Sequence, residues 1–167
     1  MNTSDITASL TTLFSELVDG ANNPGGAFVL NSGDAGLLRS LDKLTAAEAS
    51  DSVHGGATIA AHARHVQYGL SLMNRWAREG GNPFADAKWD EAWKTSKVGD
   101  GEWREIRDAL RSDAHEWLGA LGAAREVSTV ELSGMIGSVA HLAYHLGAIR
   151  QIASTTRGPK EGTFTKS

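Results

Sequence analysis

Apolar residues recur at helical spacing along four stretches of the chain. Ile6, Leu10, Leu13, Phe14 and Leu17 form the first such stripe, with Ser4 placed as its N-cap and Gly20 near its end. The turn-rich run GANNPGG breaks it. Two short helical pieces follow, GLLRSLDKL and TAAEAS, the second opened by a Thr45/Glu48 capping box. Residues 58–77, TIAAHARHVQYGLSLMNRWA, are rich in helix formers and read as the second long helix. A connection carrying Gly, Pro and two tryptophans, EGGNPFADAKWDEAWKTSKVGDG, leads to a third helix starting near Asp100 or Gly101. Its stripe is Trp103, Ile106, Leu110, Trp117 and Leu121. Ser128 and Glu131 form a second capping box that opens a fourth helix running to about Ser154. The polar tail TTRGPKEGTFTKS is expected to be loose or draped over the surface. AFVL is too short and too isolated to predict a sheet. Four long helices and a few short ones in the connections predict an all-α four-helix bundle: one domain over 1–155, then a polar C-terminal tail over 156–167.

Composition narrows the function classes. A length of 167 residues with 41% hydrophobic and 22% charged positions suits one globular domain with a sizeable core. The net charge of -4 and the scattered Lys and Arg argue against a nucleic-acid-binding surface. No apolar run is long enough to span a bilayer, and MNTSDITASL lacks the basic and apolar regions of a secretory signal. The expectation is a cytoplasmic protein that does not engage membranes. There is no cysteine, which excludes disulfides, thiolate ligands and a Cys nucleophile. The Gly-rich runs NPGG and REGGNP do not open a phosphate loop, because no Gly-Lys-Ser/Thr follows.

Histidine carries the candidate chemistry. Four of the six His residues fall in two short clusters, His62/His65 and His141/His145. An α-helix turns about 100° per residue, so residues four apart share a face. His141 and His145 therefore lie with Ser138, Ala148, Ile149 and Ile152 on a small, apolar face. Buried imidazoles need partners for their nitrogens, and two side by side cannot both be protonated cheaply. One divalent metal satisfies both, since neutral imidazole is a good ligand for late first-row metals. The ordinary alternative is a half-exposed pair bonded to backbone. The pattern is neither His-Glu-x-x-His nor the Glu-x-x-His pair of di-iron bundles. A histidine from the second helix would complete a three-His site, which leaves a coordination position open. Periodicity does not choose between the two: His62 shares a stripe with Ile59, Val66, Leu70 and Met73, and His65 one with Ala61, Gly69, Leu72 and Trp76. Depth favours His65, which lies about two turns into the helix.

The run HLAYHLGAIRQI resembles the last-helix motif of the DinB-like superfamily of metal-binding four-helix bundles: His, three residues, His, a small residue and an Ile-Arg-Gln-like run. TIAAHARHVQYGL resembles the second-helix motif, in which a single His follows about seven residues after Ser or Thr; His65 stands at that spacing from Thr58. Helix order and spacing match over nearly the whole chain. The resemblance implies an up-down-down-up connection, metal ligation by one second-helix His together with His141 and His145, and frequent homodimers. It also implies activities such as metal-dependent transfer of low-molecular-weight thiols and thiol-dependent isomerisation.

The resulting expectation is one divalent transition metal, zinc or nickel, on His65, His141 and His145. His62, Tyr144 and Arg150 are candidates for orienting those ligands or walling a pocket for a small-molecule substrate. No residue is singled out as catalytic. Because the chain has no Cys, a thiol would have to come from the substrate side, which fits a metal-dependent thiol S-transferase. Metal-dependent hydrolysis, isomerisation and a non-enzymatic, metal-stabilised stress-response or binding module are the alternatives. Trp103 and Trp117 read as core, and Trp89 and Trp93 as cover for the bundle end or for a pocket mouth. His54 and His115 read as surface residues. Gly134, Gly137 and Ser138 would permit close helix approach in a homodimer.

Overall fold

The computed structural model describes residues 3–21, 26–123 and 125–160. Among them the chain is all-α, with no strand: α1 (Thr3–Asp19), α2 (Gly36–Asp42), α3 (Ala46–Ala49), α4 (Ile59–Glu79), α5 (Trp89–Ala92), α6 (Asp100–Gly122) and α7 (Thr129–Ile152), then a 3-10 turn at Ser154–Thr156. No helix among the described residues is long and apolar enough to cross a membrane. α1 and α4 each pack against both α6 and α7. A single core joins Phe14 and Leu17 of α1, Val66 and Leu70 of α4, Trp103 and Leu110 of α6, and Leu142 and Ile149 of α7.

The helix boundaries follow from local chemistry. Thr45 and Ser128 each accept the backbone N–H of the glutamate three residues on, and Glu48 and Glu131 reach back to the cap N–H, completing both expected capping boxes. Thr58 caps α4 through the N–H of Ala61, and Gly80, at φ +70°, terminates it two residues past the expected end. α1 begins at Thr3 rather than after Ser4. Ser4 is therefore inside the first turn, where its carbonyl accepts from the Thr7 hydroxyl at 3.0 Å. α7 stops at Ile152, with the 3-10 turn taking up the residues around Ser154.

Trp103, Ile106, Leu110, Trp117 and Leu121 are all buried, so the α6 stripe faces the core as its period predicts. Trp117 Nε1–H donates to Ser138 Oγ at 2.9 Å, and that hydroxyl donates to the Met135 carbonyl at 2.7 Å. The bond reaches from α6 to α7. A Cβ at Gly134 would lie 2.5 Å from Trp76 Cζ3. Gly134 and Ser138, small residues that would suit a second copy, thus serve contacts inside the chain.

The segment between α1 and α2 is organised by two buried acids. The Glu16 carboxylate accepts the backbone N–H groups of Phe28, Val29 and Leu30, so AFVL wraps a carboxylate instead of pairing as a strand. Asp34 accepts the Gly36 N–H at 2.8 Å and two bonds from Arg150 Nη2, at 2.7 and 2.8 Å. Gly20 and Gly36 both have positive φ, and a Cβ at Gly36 would lie 2.4 Å from Gly20 N; the two helix ends cross too closely for a side chain. Beyond α7, Thr156 is buried and Asn31 Nδ2 donates to the Pro159 carbonyl at 2.8 Å. Residues 156–160 thus lie against the loop before α2, and residues 161–167 lie outside the described residues.

Candidate metal centre

α4 and α7 pack on one another, and each brings two histidines to the shared face. The Thr58 cap sets the start of α4, so His62 and His65 fall in its first two turns. His141 and His145 stand one turn apart on α7. His65 Nε2 lies 3.1 Å from His141 Nε2, and His145 Nε2 lies 3.0 Å from the same atom. One ring nitrogen from each of His65, His141 and His145 can be chosen so that all lie within 4.8 Å, and this group could hold a metal ion. His62 stands one step behind them: its Nδ1 lies 2.9 Å from His145 Nδ1.

The donor set fits a cation. An imidazole nitrogen carries either one proton or one lone pair. His141 Nε2 faces two other ring nitrogens and can make a sound hydrogen bond with only one of them. A cation among three lone pairs removes that conflict. Three nitrogens arranged tetrahedrally around zinc at about 2.0–2.1 Å would lie about 3.3 Å apart, close to the 3.1 and 3.0 Å that separate His141 Nε2 from the rings of His65 and His145. In that state the Nδ1 atoms carry the protons. His145 Nδ1–H would then donate to His62 Nδ1, an arrangement that holds a ligating ring in its tautomer and orientation. His65 Nδ1 is buried with no hydrogen-bond partner. Its ring is positioned instead by stacking on Trp93, with centroids 4.2 Å apart and planes at 24°.

Electrostatics favour neutral, ligand-ready imidazoles. Burial, then the neighbouring His141 and His62, push His65 down to about 4. Burial, then His141, His62 and His65, push His145 down to about 3. His62 and His141 are also lowered, by burial. The consequence for metal-free protein has a definite sign. The unfolded chain takes up protons near 6.5, while the folded chain resists until about 4 and 3. Between those values the unfolded state binds more protons, so stability is full above about 6.5 and falls as pH drops through the window. Urea denaturation of metal-free protein is expected to give a lower midpoint at pH 5 than at pH 7.5. A midpoint that rises on acidification would contradict neutral burial of these rings.

α5 and its flanks cover the cluster. Trp93 also meets His62 edge-on at 5.4 Å. Trp89 lies 5.4 Å from the His65 ring and 5.4 Å from Tyr68. The Tyr68 hydroxyl accepts the Lys88 N–H at 2.8 Å, which anchors the start of α5 on α4. Ala92 is buried and pins its other end. Beside the cluster lies a cavity of about 240 Å³ between α4 and α7, lined among others by Gly69, Met73, Phe84, Trp89, Gly137 and His141. The two tryptophans four residues apart were the sequence signal for this cover; nothing local marked Phe84 or Tyr68 as part of it.

The remaining candidates lie elsewhere. Tyr144 sets its ring edge-to-face on His145 at 5.0 Å and is 69% exposed, covering the cluster from the solvent side. Arg150 is buried, and its guanidinium pairs with the Asp34 carboxylate, joining the end of α7 to the loop before α2. His115 pairs with Asp19 at the surface, and His54 sits in an exposed loop with φ +52°. No family model, curated protein or solved structure matches this chain.

Proposed function

We propose that this chain is a DinB-like four-helix bundle with up-down-down-up connections. In this reading it holds one divalent transition metal, zinc or nickel, on His65, His141 and His145, and transfers a low-molecular-weight thiol to an electrophilic substrate. The observation that carries the reading is the convergence of three neutral imidazole nitrogens from α4 and α7 under an aromatic cover. The packing of α1 and α4 against both α6 and α7 supports the bundle, and the likeness of HLAYHLGAIRQI and TIAAHARHVQYGL to the superfamily motifs supports the ligand set. The absence of cysteine from the chain leaves the thiol to a cosubstrate.

A metal bound by three neutral ligands keeps its full charge and lowers the pKa of a coordinated water or thiol toward neutrality. The chain's own residues supply the setting. With the metal bound, His62 Nδ1 would accept from His145 Nδ1 and so hold that ring in one tautomer. Trp93 fixes the His65 ring by stacking on it. Gly69 keeps open the approach to His141: a Cβ there would sit 3.7 Å from His141 Cε1 and 3.8 Å from Trp89 Cζ3. The exposed Val130, Ile136 and Tyr144 on the outer side of α7 support a homodimer through that helix.

Metal-loaded protein incubated with glutathione, bacillithiol or mycothiol and an electrophilic acceptor is expected to turn over with one of them and to stop when a chelator is added. Light scattering on the same preparation at micromolar concentration should read the dimer mass. Metal-dependent ester or amide hydrolysis with no thiol transfer would replace the transferase with a hydrolase. A monomer mass would remove the dimer.

A further inference from the structure

A cavity of about 240 Å³ beside His141 is left unexplained by the three-His group. It is bounded by α4 and α7 and capped by Phe84 and Trp89 from the connection that carries α5. None of its lining residues is charged. Two polar side chains reach it. Ser138 is already committed, accepting from Trp117 Nε1 and donating to the Met135 carbonyl. The other is His141, at the boundary with the imidazole cluster. A charged group placed in this space would lose its hydration and find no partner.

Glycine makes the space, and at two positions packing does not demand it. A Cβ at Gly134 would strike Trp76, so that glycine is required by the fold. A Cβ at Gly137 would meet nothing within 4 Å, and one at Gly69 would make only ordinary contacts. Glycine weakens a helix interior relative to alanine. Gly69, buried on α4, leaves room in the cavity itself, and Gly137, exposed on α7, leaves its rim open. Phe84 and Trp89 lie nearly parallel, with centroids 6.1 Å apart and planes at 20°, and offer flat apolar surface.

We propose that this cavity binds the uncharged aromatic or alicyclic body of a small molecule, whose polar head is turned toward His141 and the three-His group. An apolar cavity of about 150 Å³ accommodates benzene. The 240 Å³ here accommodates a body of about ten non-hydrogen atoms on the same scale. The direction of the head rests on the metal-centre reading above; the apolar body does not. In terms of that reading, this molecule is the electrophilic acceptor, because the low-molecular-weight thiols named above are too polar for these walls.

The test uses the full chain, metal-free and zinc-loaded, with 1-naphthol as the probe. Binding is followed by calorimetry and by tryptophan emission, since Trp89 lines the cavity. Affinity in the micromolar range is expected, weakened roughly tenfold or more for 5-hydroxynaphthalene-1-sulfonate, whose charge would enter the apolar end. Gly69→Leu, whose side chain is aimed between His141 and Trp89, should lower affinity by a similar factor. Gly137→Leu adds a side chain at the rim of the cavity from the other helix and serves as the second variant, with circular dichroism reporting that each variant is folded. Equal affinity for the sulfonate, no binding below millimolar probe, or binding unchanged in both folded variants would overturn the proposal. Naphthol binding that Gly69→Leu abolishes, in a chain that takes up no zinc, would uphold the cavity and remove the metal centre. One zinc per chain with no naphthol binding would do the reverse.

Discussion

Alanine in place of His65 is expected to abolish stoichiometric zinc binding, whereas alanine in place of His62 lowers zinc affinity by about 10–100-fold and leaves the stoichiometry at one. The two residues lie less than a turn apart on the same helix and are equally buried, yet their nitrogens do different things. His65 Nε2 belongs to the group within 4.8 Å, so its loss leaves two ligands from one helix. His62 Nδ1 contacts the far nitrogen of His145, so its loss frees that ring to rotate and to change tautomer. His62→Gln offers an amide oxygen as an acceptor at the same place and should recover part of the lost affinity. Competition calorimetry with zinc and a chelator of known strength separates the variants. Loss of zinc in His62→Ala with retention in His65→Ala would exchange the roles and refute the assignment.

Removal of the Asp34 carboxylate carries the largest expected effect on stability. Asp34 and Arg150 are 1% and 4% exposed, and the pair joins the end of α7 to the loop before α2. Deleting one member of a buried pair costs about 3–5 kcal/mol, because the remaining charge stays in a poorly solvating site. Asp34→Ala also removes the acceptor for the Gly36 N–H. Replacing both members with apolar residues, as in Asp34→Leu with Arg150→Met, should recover much of the loss. Urea midpoints measure both effects. Zinc stoichiometry should be unchanged in the double variant, since neither side chain belongs to the imidazole group. A cost below about 1 kcal/mol for Asp34→Ala would show that the pair does not hold these elements together.

What could be read from the sequence was what is local. The α6 stripe, both capping boxes and the His141/His145 face are set by residues within a turn or two of each other, and the structure has them where the period puts them. The choice between His62 and His65 was not available from periodicity, because both lie on buried stripes of α4; the structure separates them by which nitrogen faces which neighbour. The loop from Gly26 to Asp34 had no local signal, because its order comes from Glu16 and from Arg150, the latter 116 positions away. Arg150 lacks a local partner for the same reason: Asp34 comes beside it only when the chain folds. The cavity was equally hidden, since it arises where glycines on two separate helices meet aromatics from a third segment.

X-ray absorption at the zinc edge, on protein loaded with zinc and then desalted, reads the coordination sphere itself. One zinc per chain is expected, with three imidazole nitrogens at about 2.0–2.1 Å. A shell made of oxygen ligands, or zinc far below one per chain after reloading, would contradict the three-His centre.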